Sequence, residues 1–148
     1  MIKLNNIFLM GEIMEILIHI ETKKIDTNYK KAIEEYIKRT SPFCKVSIKT
    51  YKNIEKISFN KSSKKYIVIP GKETMSSPAL ADMIQTLNLN GYSCLEFIIS
   101  ENNVISDSSE ISEFCISSFG MNVDLNAVVL TEQIYRAYTI LNNITYHK

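Results

Sequence analysis

Three short stretches, Pro70-Gly71, Ser100-Glu101 and Ser117-Ser118, each follow a β-rich run of the chain. In an open α/β sheet a ligand lies beyond the C-terminal ends of the strands, so these positions are where a cofactor should be sought. No glycine-rich nucleotide fingerprint accompanies them, which sets aside an unrelated dinucleotide binder. Cys44, Cys94 and Cys115 are widely spaced and odd in number. That argues against a disulfide framework and fits a reducing cytoplasm, and no pair has metal-ligand spacing, so no metal is expected. All three read as small hydrophobes. His19 sits inside an apolar run, Glu15 to Ile20, and reads as a core or strand-end residue.

The elements that position these residues can be read in order. Residues 15–20 form a buried strand, and Asp26 or Thr27 caps a helix to about Arg39, with Tyr29, Ile33, Tyr36 and Ile37 on one face. Ser41-Pro42 stops it, because proline disfavours helical geometry in the residue before it. Val46 and Ile48 alternate with polar residues as in a half-exposed strand, and the Lys-, Asn- and Ser-rich residues 52–65 read as a loop. Tyr66 to Ile69 is a short strand. Ser76 or Ser77 then caps a helix with Pro78 in its first turn, and Asn90-Gly91 ends it in a left-handed cap. Leu95 to Ile99 is another buried strand. A polar stretch to Ser109, a short helical turn and a small strand over 114–116 follow. The longest helix runs from about Asp124 to Leu141.

Strands alternating with helices predict an α/β fold with a doubly wound, mostly parallel sheet covered on both faces. The last helix carries apolar residues around nearly its whole circumference, so it is buried by its own domain or by a partner, and a homodimer is the default expectation.

The chain has 148 residues, 45% hydrophobic and 22% charged, which is ordinary for one globular domain. No apolar run reaches the roughly 18 residues of a membrane span. Glu12, Glu15 and His19 interrupt the apolar patches near the N-terminus and no small-residue cleavage site follows, so a signal peptide is not expected. Residues 1–13 read as an appendage, with the domain over 14–148. The net charge of +1 hides a split. Through residue 72 there are 15 Lys/Arg and 7 Asp/Glu, and from residue 73 there are 2 and 9. A basic half beside an acidic half suits either a nucleic-acid footprint or the complementary faces of a self-associating protein. The basic pairs 23–24, 30–31, 38–39 and 64–65 read mostly as solvated surface.

Glu132-Gln133-Ile134-Tyr135-Arg136-Ala137, followed by a terminal Tyr146-His147-Lys148, resembles the C-terminal signature of the SPOUT-superfamily enzymes that methylate a pseudouridine of large-subunit ribosomal RNA, the large-subunit methyltransferase H family. Ile33 to Arg39, Tyr66 to Ile69, Met75-Ser76-Ser77, Asn90-Gly91 and Ile116-Ser117-Ser118 fall in the matching order, so the resemblance covers roughly residues 15–148. It implies a C-terminal trefoil knot, a rare exception to unknotted topology, and an obligate dimer. S-adenosylmethionine would sit in the knot, at Pro70, Ser100, Glu101, Ile116, Ser117, Ser118 and Phe119. Each C-terminal tail would complete the partner's active site, with Arg136, Tyr146 and His147 as its catalytic candidates. Arg136 suits a phosphate or a carboxylate; its plainer reading is a surface salt bridge. Ribosomal RNA or the ribosome is the implied partner.

The departures from the family pattern fall on the cofactor loops. Ser100-Glu101 stands where the family has paired glycines, which adds side chains and sets a carboxylate against that of the cofactor. Pro70-Gly71-Lys72-Glu73 replaces a Leu-Asp-x-x-Gly turn. The family's basic and histidine positions before the last helix align with 118–124, and its first helix arginine is Ala127. The charged helix between the second and third strands is much reduced. Two functions follow as alternatives: a divergent methyltransferase with impaired activity, or an inactive paralogue that serves as a ribosome-, protein- or small-ligand-binding dimer.

Overall fold

A computed structural model describes residues 13–102 and 110–146. Five strands form one sheet: β1 (Glu15–Glu21), β2 (Lys45–Tyr51), β3 (Lys64–Val68), β4 (Cys94–Ile99) and β5 (Ile111–Phe114). Their order across the sheet is β2-β1-β4-β3-β5, and every pair is parallel. Three helices accompany them: α1 (Thr27–Thr40), α2 (Ser77–Leu89) and α3 (Val123–Leu141). No helix among the described residues is long and apolar enough to cross a membrane.

The helix ends follow from local chemistry. Asp26 caps α1 by accepting the Asn28 N–H, Ser76 caps α2 through Ala79, and Asn122 caps α3 through Leu125. Each side chain satisfies an N–H that has no partner within its helix. Gly91, just past α2, has φ +92°, a conformation that glycine adopts without steric cost. The start of α1 is tied to α3 as well, because the Asp26 N–H donates to Asp124 Oδ2 at 3.0 Å.

The two faces of the sheet differ. On the first, Ile16, Ile18, Ile20, Tyr66, Val68, Leu95, Phe97 and Ile99 meet Ile33 of α1, Leu80 and Ile84 of α2, and Leu130, Ile134 and Ala137 of α3 in one continuous core. Phe97 packs edge-on to Phe114 with ring centres 5.2 Å apart. The second face holds a small cluster of Ile54, Ile67 and Ile98, flanked by Ile57, Phe59, Ile69 and Ile111. The expected cover of helices on both faces is therefore not found among the described residues. All three helices pack on the first face, and a strap over residues 52–63, with one turn of 3-10 helix at Ile54–Lys56, covers the second.

Two further expectations change. Residues 52–65 are not simply a loop, since Lys64 and Lys65 open β3 and the strap's Ile54, Ile57 and Phe59 pack onto the sheet. Residues 111–114 are strand rather than the end of a helical turn, so Cys115 and Ile116 lie beyond β5 instead of within it. Residues 103–109 of the polar stretch lie outside the described residues, as do residues 1–12 of the expected appendage. Met14 is buried and Ile13 is exposed.

Candidate functional site

Beyond the C-terminal ends of β3 and β4, the loop over 69–75 and the segment over 114–117 hold each other through the backbone. The N–H groups of Ile69, Gly71 and Met75 donate to the carbonyls of Phe114, Ser117 and Cys115 at 3.0, 3.1 and 2.9 Å. The approach is close enough that a Cβ on Gly71 would lie 2.7 Å from Cys115 Sγ. Only glycine fits there without a shift.

A cleft of about 320 Å³ opens at this junction, lined by Val68, Ile69, Pro70, Ser100, Glu101, Ser117, Phe119, Gly120, Met121, Asn122 and Asn126. Five of the seven expected cofactor residues, Pro70, Ser100, Glu101, Ser117 and Phe119, come together around it. Ile116 and Ser118 do not. Ile116 lines a different cavity, and Ser118 is exposed outside both. Phe119 is 79% exposed, an aromatic ring held at the cleft and largely open to solvent. Ser117 fixes the local turn, its Oγ accepting the Phe119 N–H at 3.0 Å.

Ser100 has its hydroxyl engaged elsewhere. It donates to Glu21 Oε1 at 2.9 Å, while the other Glu21 oxygen accepts the Ile54 N–H at 2.6 Å. The floor of the cleft is thus tied through one carboxylate to the strap on the second face. Glu101 is exposed.

The second cavity is a groove of about 750 Å³ along α3. Val129, Gln133, Arg136 and Ile140 form a stripe down the helix, at intervals of three and four residues that place them on one face. Met75, Phe114, Ile116 and Ile144 face them. Ile140 is 41% and Ile144 45% exposed, so this apolar side of α3 is left partly uncovered.

Arg136 and Tyr146 meet at the end of the groove. The guanidinium lies 5.3 Å from the Tyr146 ring centre, and its Nη2 and Nε donate to Glu132 Oε1. Tyr146 packs edge-on to Tyr135 at 5.0 Å. Its partial burial, together with the hydrogen bond to Tyr36, pushes the phenol up to about 12. Arg136 has both of its expected roles open to it, since the salt bridge to Glu132 leaves part of the guanidinium accessible. His147 lies outside the described residues. Within one chain Arg136 and Tyr146 do not line the cleft. The segment over 114–119 is the wall between the cavities, giving Phe114 and Ile116 to the groove and Ser117 and Phe119 to the cleft.

The cysteines are buried or half-buried and unbridged. Burial pushes the Cys44 thiol up to about 12 and Cys94 to about 11, which leaves both as inert thiols at neutral pH. Among the described residues no group of three His, Cys, Asp or Glu side chains is placed to hold a metal.

Sequence reasoning missed a polar cluster under the strap. His19 and Glu96 are both fully buried. His19 Nε2 lies 2.9 Å from Glu96 Oε1 and its Nδ1 2.9 Å from the Tyr51 hydroxyl. Glu96 Oε2 accepts from the Asn60 N–H at 3.0 Å and from the Ser63 hydroxyl. Burial holds the His19 pKa below the ordinary 6.5, against the raising effect of Glu96. The available signal was a glutamate in the middle of an otherwise apolar strand. Asn122 and Asn126, one helical turn apart on the cleft, were also missed.

A family model described as a predicted SPOUT methyltransferase matches residues 14–147. The chain belongs to the SPOUT methyltransferase family. It is similar to ribosomal RNA large subunit methyltransferase H 1 of Thermoanaerobacter sp. (strain X514), with 34% identity over 137 residues, covering 91% of this chain and all of that protein. It is 31% identical over 146 residues to ribosomal RNA large subunit methyltransferase H of Oenococcus oeni, covering 81% of this chain and 90% of the relative. A putative ribosomal RNA large subunit methyltransferase H of Methanococcus maripaludis is 34% identical over 155 residues, with 87% and 97% covered. The α/β fold with its five-stranded parallel sheet and three helices is consistent with that family.

Proposed function

We propose that this SPOUT family member is a divergent S-adenosylmethionine-dependent methyltransferase of large-subunit ribosomal RNA, with a cofactor site weakened at Ser100-Glu101. The observation that carries the reading is the convergence of Pro70, Ser100, Glu101, Ser117 and Phe119 on one cleft beyond β3 and β4. The residues there fit an adenosine-bearing cofactor. Val68, Ile69, Pro70 and Met121 supply apolar walls, Phe119 an open aromatic face, and Ser117, Asn122 and Asn126 hydrogen-bonding groups. Glu101 is the misfit, because its carboxylate opposes that of the cofactor and weakens binding.

Bound there, S-adenosylmethionine would supply an electrophilic methyl group. The protein's part is to align the acceptor and accommodate the loss of one proton from it. Arg136 suits a phosphate of the RNA, and Tyr146 and His147 suit the target base. Because Arg136 and Tyr146 lie across the 114–119 wall from their own chain's cleft, we assign them to the cleft of a second copy. The partly uncovered stripe of Val129, Arg136 and Ile140 supports a homodimer through α3. The mutual backbone bonding of 69–75 with 114–117 supports a trefoil knot at this point.

The test is calorimetric titration with S-adenosylmethionine, followed by methyl transfer to large-subunit ribosomal RNA. Saturable binding at one site per subunit with slow transfer supports the reading; no heat at millimolar cofactor refutes it. Sedimentation of the protein and of Ile140→Asp tests the dimer, which the aspartate should dissociate. The exposed Glu101 on the cleft, in place of the family's glycine, favours one alternative, an inactive dimer that binds a different small ligand there. Cofactor binding would exclude that alternative.

A further inference from the structure

Residues 45–65 carry seven lysines, no arginine and a single acid, Glu55. These are seven of the fifteen Lys/Arg of the chain's basic half, and the fold brings five of them, Lys45, Lys49, Lys52, Lys56 and Lys61, to the exposed second face of the sheet. Val46 and Ile48 of β2 point into the helix-side core, so Lys45, Ser47 and Lys49 alternate onto the other face. The strap crosses that same face, because Ile54 and Phe59 pack with Ile67 and Ile98, and Asn60 and Ser63 bond to Glu96. Lys45, Lys49, Lys52, Lys56 and Lys61 are all exposed. Lys45 makes a weak ion pair with Glu15 at 3.9 Å.

Like charges crowded on one strap repel each other, and that opposes its docking. Yet the strap is pinned by two carboxylates beneath it. Glu21 accepts the Ile54 N–H, and Glu96 holds Asn60 and Ser63. The fold therefore holds a cationic surface in a fixed shape. Glu21 also holds Ser100, so the surface begins where the cleft ends.

We propose that the strap over residues 52–63 and the exposed edge of β2 form a second RNA-contacting surface, continuous with the cleft, that grips the phosphate backbone without reading bases. This rests on the RNA methyltransferase reading and deepens it. The exclusive use of lysine fits the role, since an ammonium is a point charge for phosphates, whereas bidentate reading of guanine calls for arginine. Phosphate contacts fix register and orientation, and here they would hold the RNA while the cleft acts on one base.

The experiment compares the full-length protein with the triple variant Lys52→Gln/Lys56→Gln/Lys61→Gln and with the corresponding triple Lys→Arg variant. A fluorescein-labelled RNA hairpin is titrated at about 50 and about 200 mM salt, and S-adenosylmethionine binding and thermal melting are measured on the same samples. The glutamine variant should bind RNA about tenfold more weakly, with a log–log salt slope smaller by about 2, while the arginine variant keeps both. Unchanged RNA affinity and slope in the folded glutamine variant would overturn the inference. So would competition by polyglutamate as effective as that by RNA, which would mark an acidic-protein surface. Loss of cofactor binding in the wild type, with RNA binding and its lysine dependence intact, would overturn the methyltransferase reading alone.

Discussion

Replacing Glu96 with alanine removes the acceptor for three donors at once: His19 Nε2, the Asn60 N–H and the Ser63 hydroxyl. Glu96 and His19 are fully buried, so neither donor set nor cavity is already solvated. Each donor left unmatched costs about 1–3 kcal/mol, and removal of one partner of a buried charged cluster typically costs about 3–5 kcal/mol in all. Relief of the carboxylate's own desolvation and entry of water keep the total nearer the lower figure. For a chain of this length that corresponds to a fall in melting temperature of about 6–12 °C. Urea denaturation should show the loss. Hydrogen exchange should show it first at residues 54–63, because the strap loses its central anchor while the helix-side core is untouched. The double variant His19→Leu/Glu96→Leu should recover only the share due to His19, since the Asn60 N–H and the Ser63 hydroxyl stay unmatched. A loss below about 1 kcal/mol for Glu96→Ala, or a strap that exchanges no faster, would refute the role given to this cluster.

Other perturbations have equally definite outcomes. Because burial lowers the His19 pKa in the folded state, the unfolded chain binds this proton more readily; stability is full above about 6.5 and falls as the pH drops below it toward the folded value. His19→Phe should flatten that part of a stability–pH curve. Gly71→Ala should cost about 1–3 kcal/mol by driving a methyl onto Cys115 Sγ, and Cys115→Ala should restore most of it, since the remaining Cβ is at an ordinary 3.8 Å. A thermal double-mutant cycle measures both. Glu101→Gln should tighten S-adenosylmethionine binding about three- to tenfold by calorimetry, by removing one opposed charge. Arg136→Lys should lower methyl transfer about a hundredfold with cofactor binding unchanged, since a lysine loses the planar fork; equal activity of this variant would remove Arg136 from the site.

Where the sequence was legible, the signal was local. Asp26, Ser76 and Asn90-Gly91 bound helices through contacts made within a few residues, and the apolar runs over 15–20 and 95–99 identify central parallel strands by their lack of alternation. The ends of those strands then located the cleft. What stayed hidden depends on distant partners. The strap looks polar because Ile54, Ile57 and Phe59 are scattered among lysines and asparagines, and only the sheet beneath shows that they share a face. Ile111 to Phe114 includes serine and glutamate, poor strand formers, and is a strand because β3 offers it an edge. The His19–Glu96 pair spans 77 positions. Ser100 and Glu101 were expected at the end of β4 and do line the cleft, but the hold of Glu21 on Ser100 comes from β1, beyond any local pattern.

The wall between the two cavities has a consequence for how the protein is made. Phe114 to Asn126 supplies one side of the groove and one side of the cleft, while α3 completes both. A nascent chain that has reached only residue 110 already carries β1 to β4, α1, α2 and the lysine strap, yet it owns neither cavity. Synthesis that stops early therefore releases a fragment that keeps the lysine strap but lacks a complete cleft. Both candidate cavities are completed only by the last quarter of the chain, so neither exists before synthesis is nearly finished.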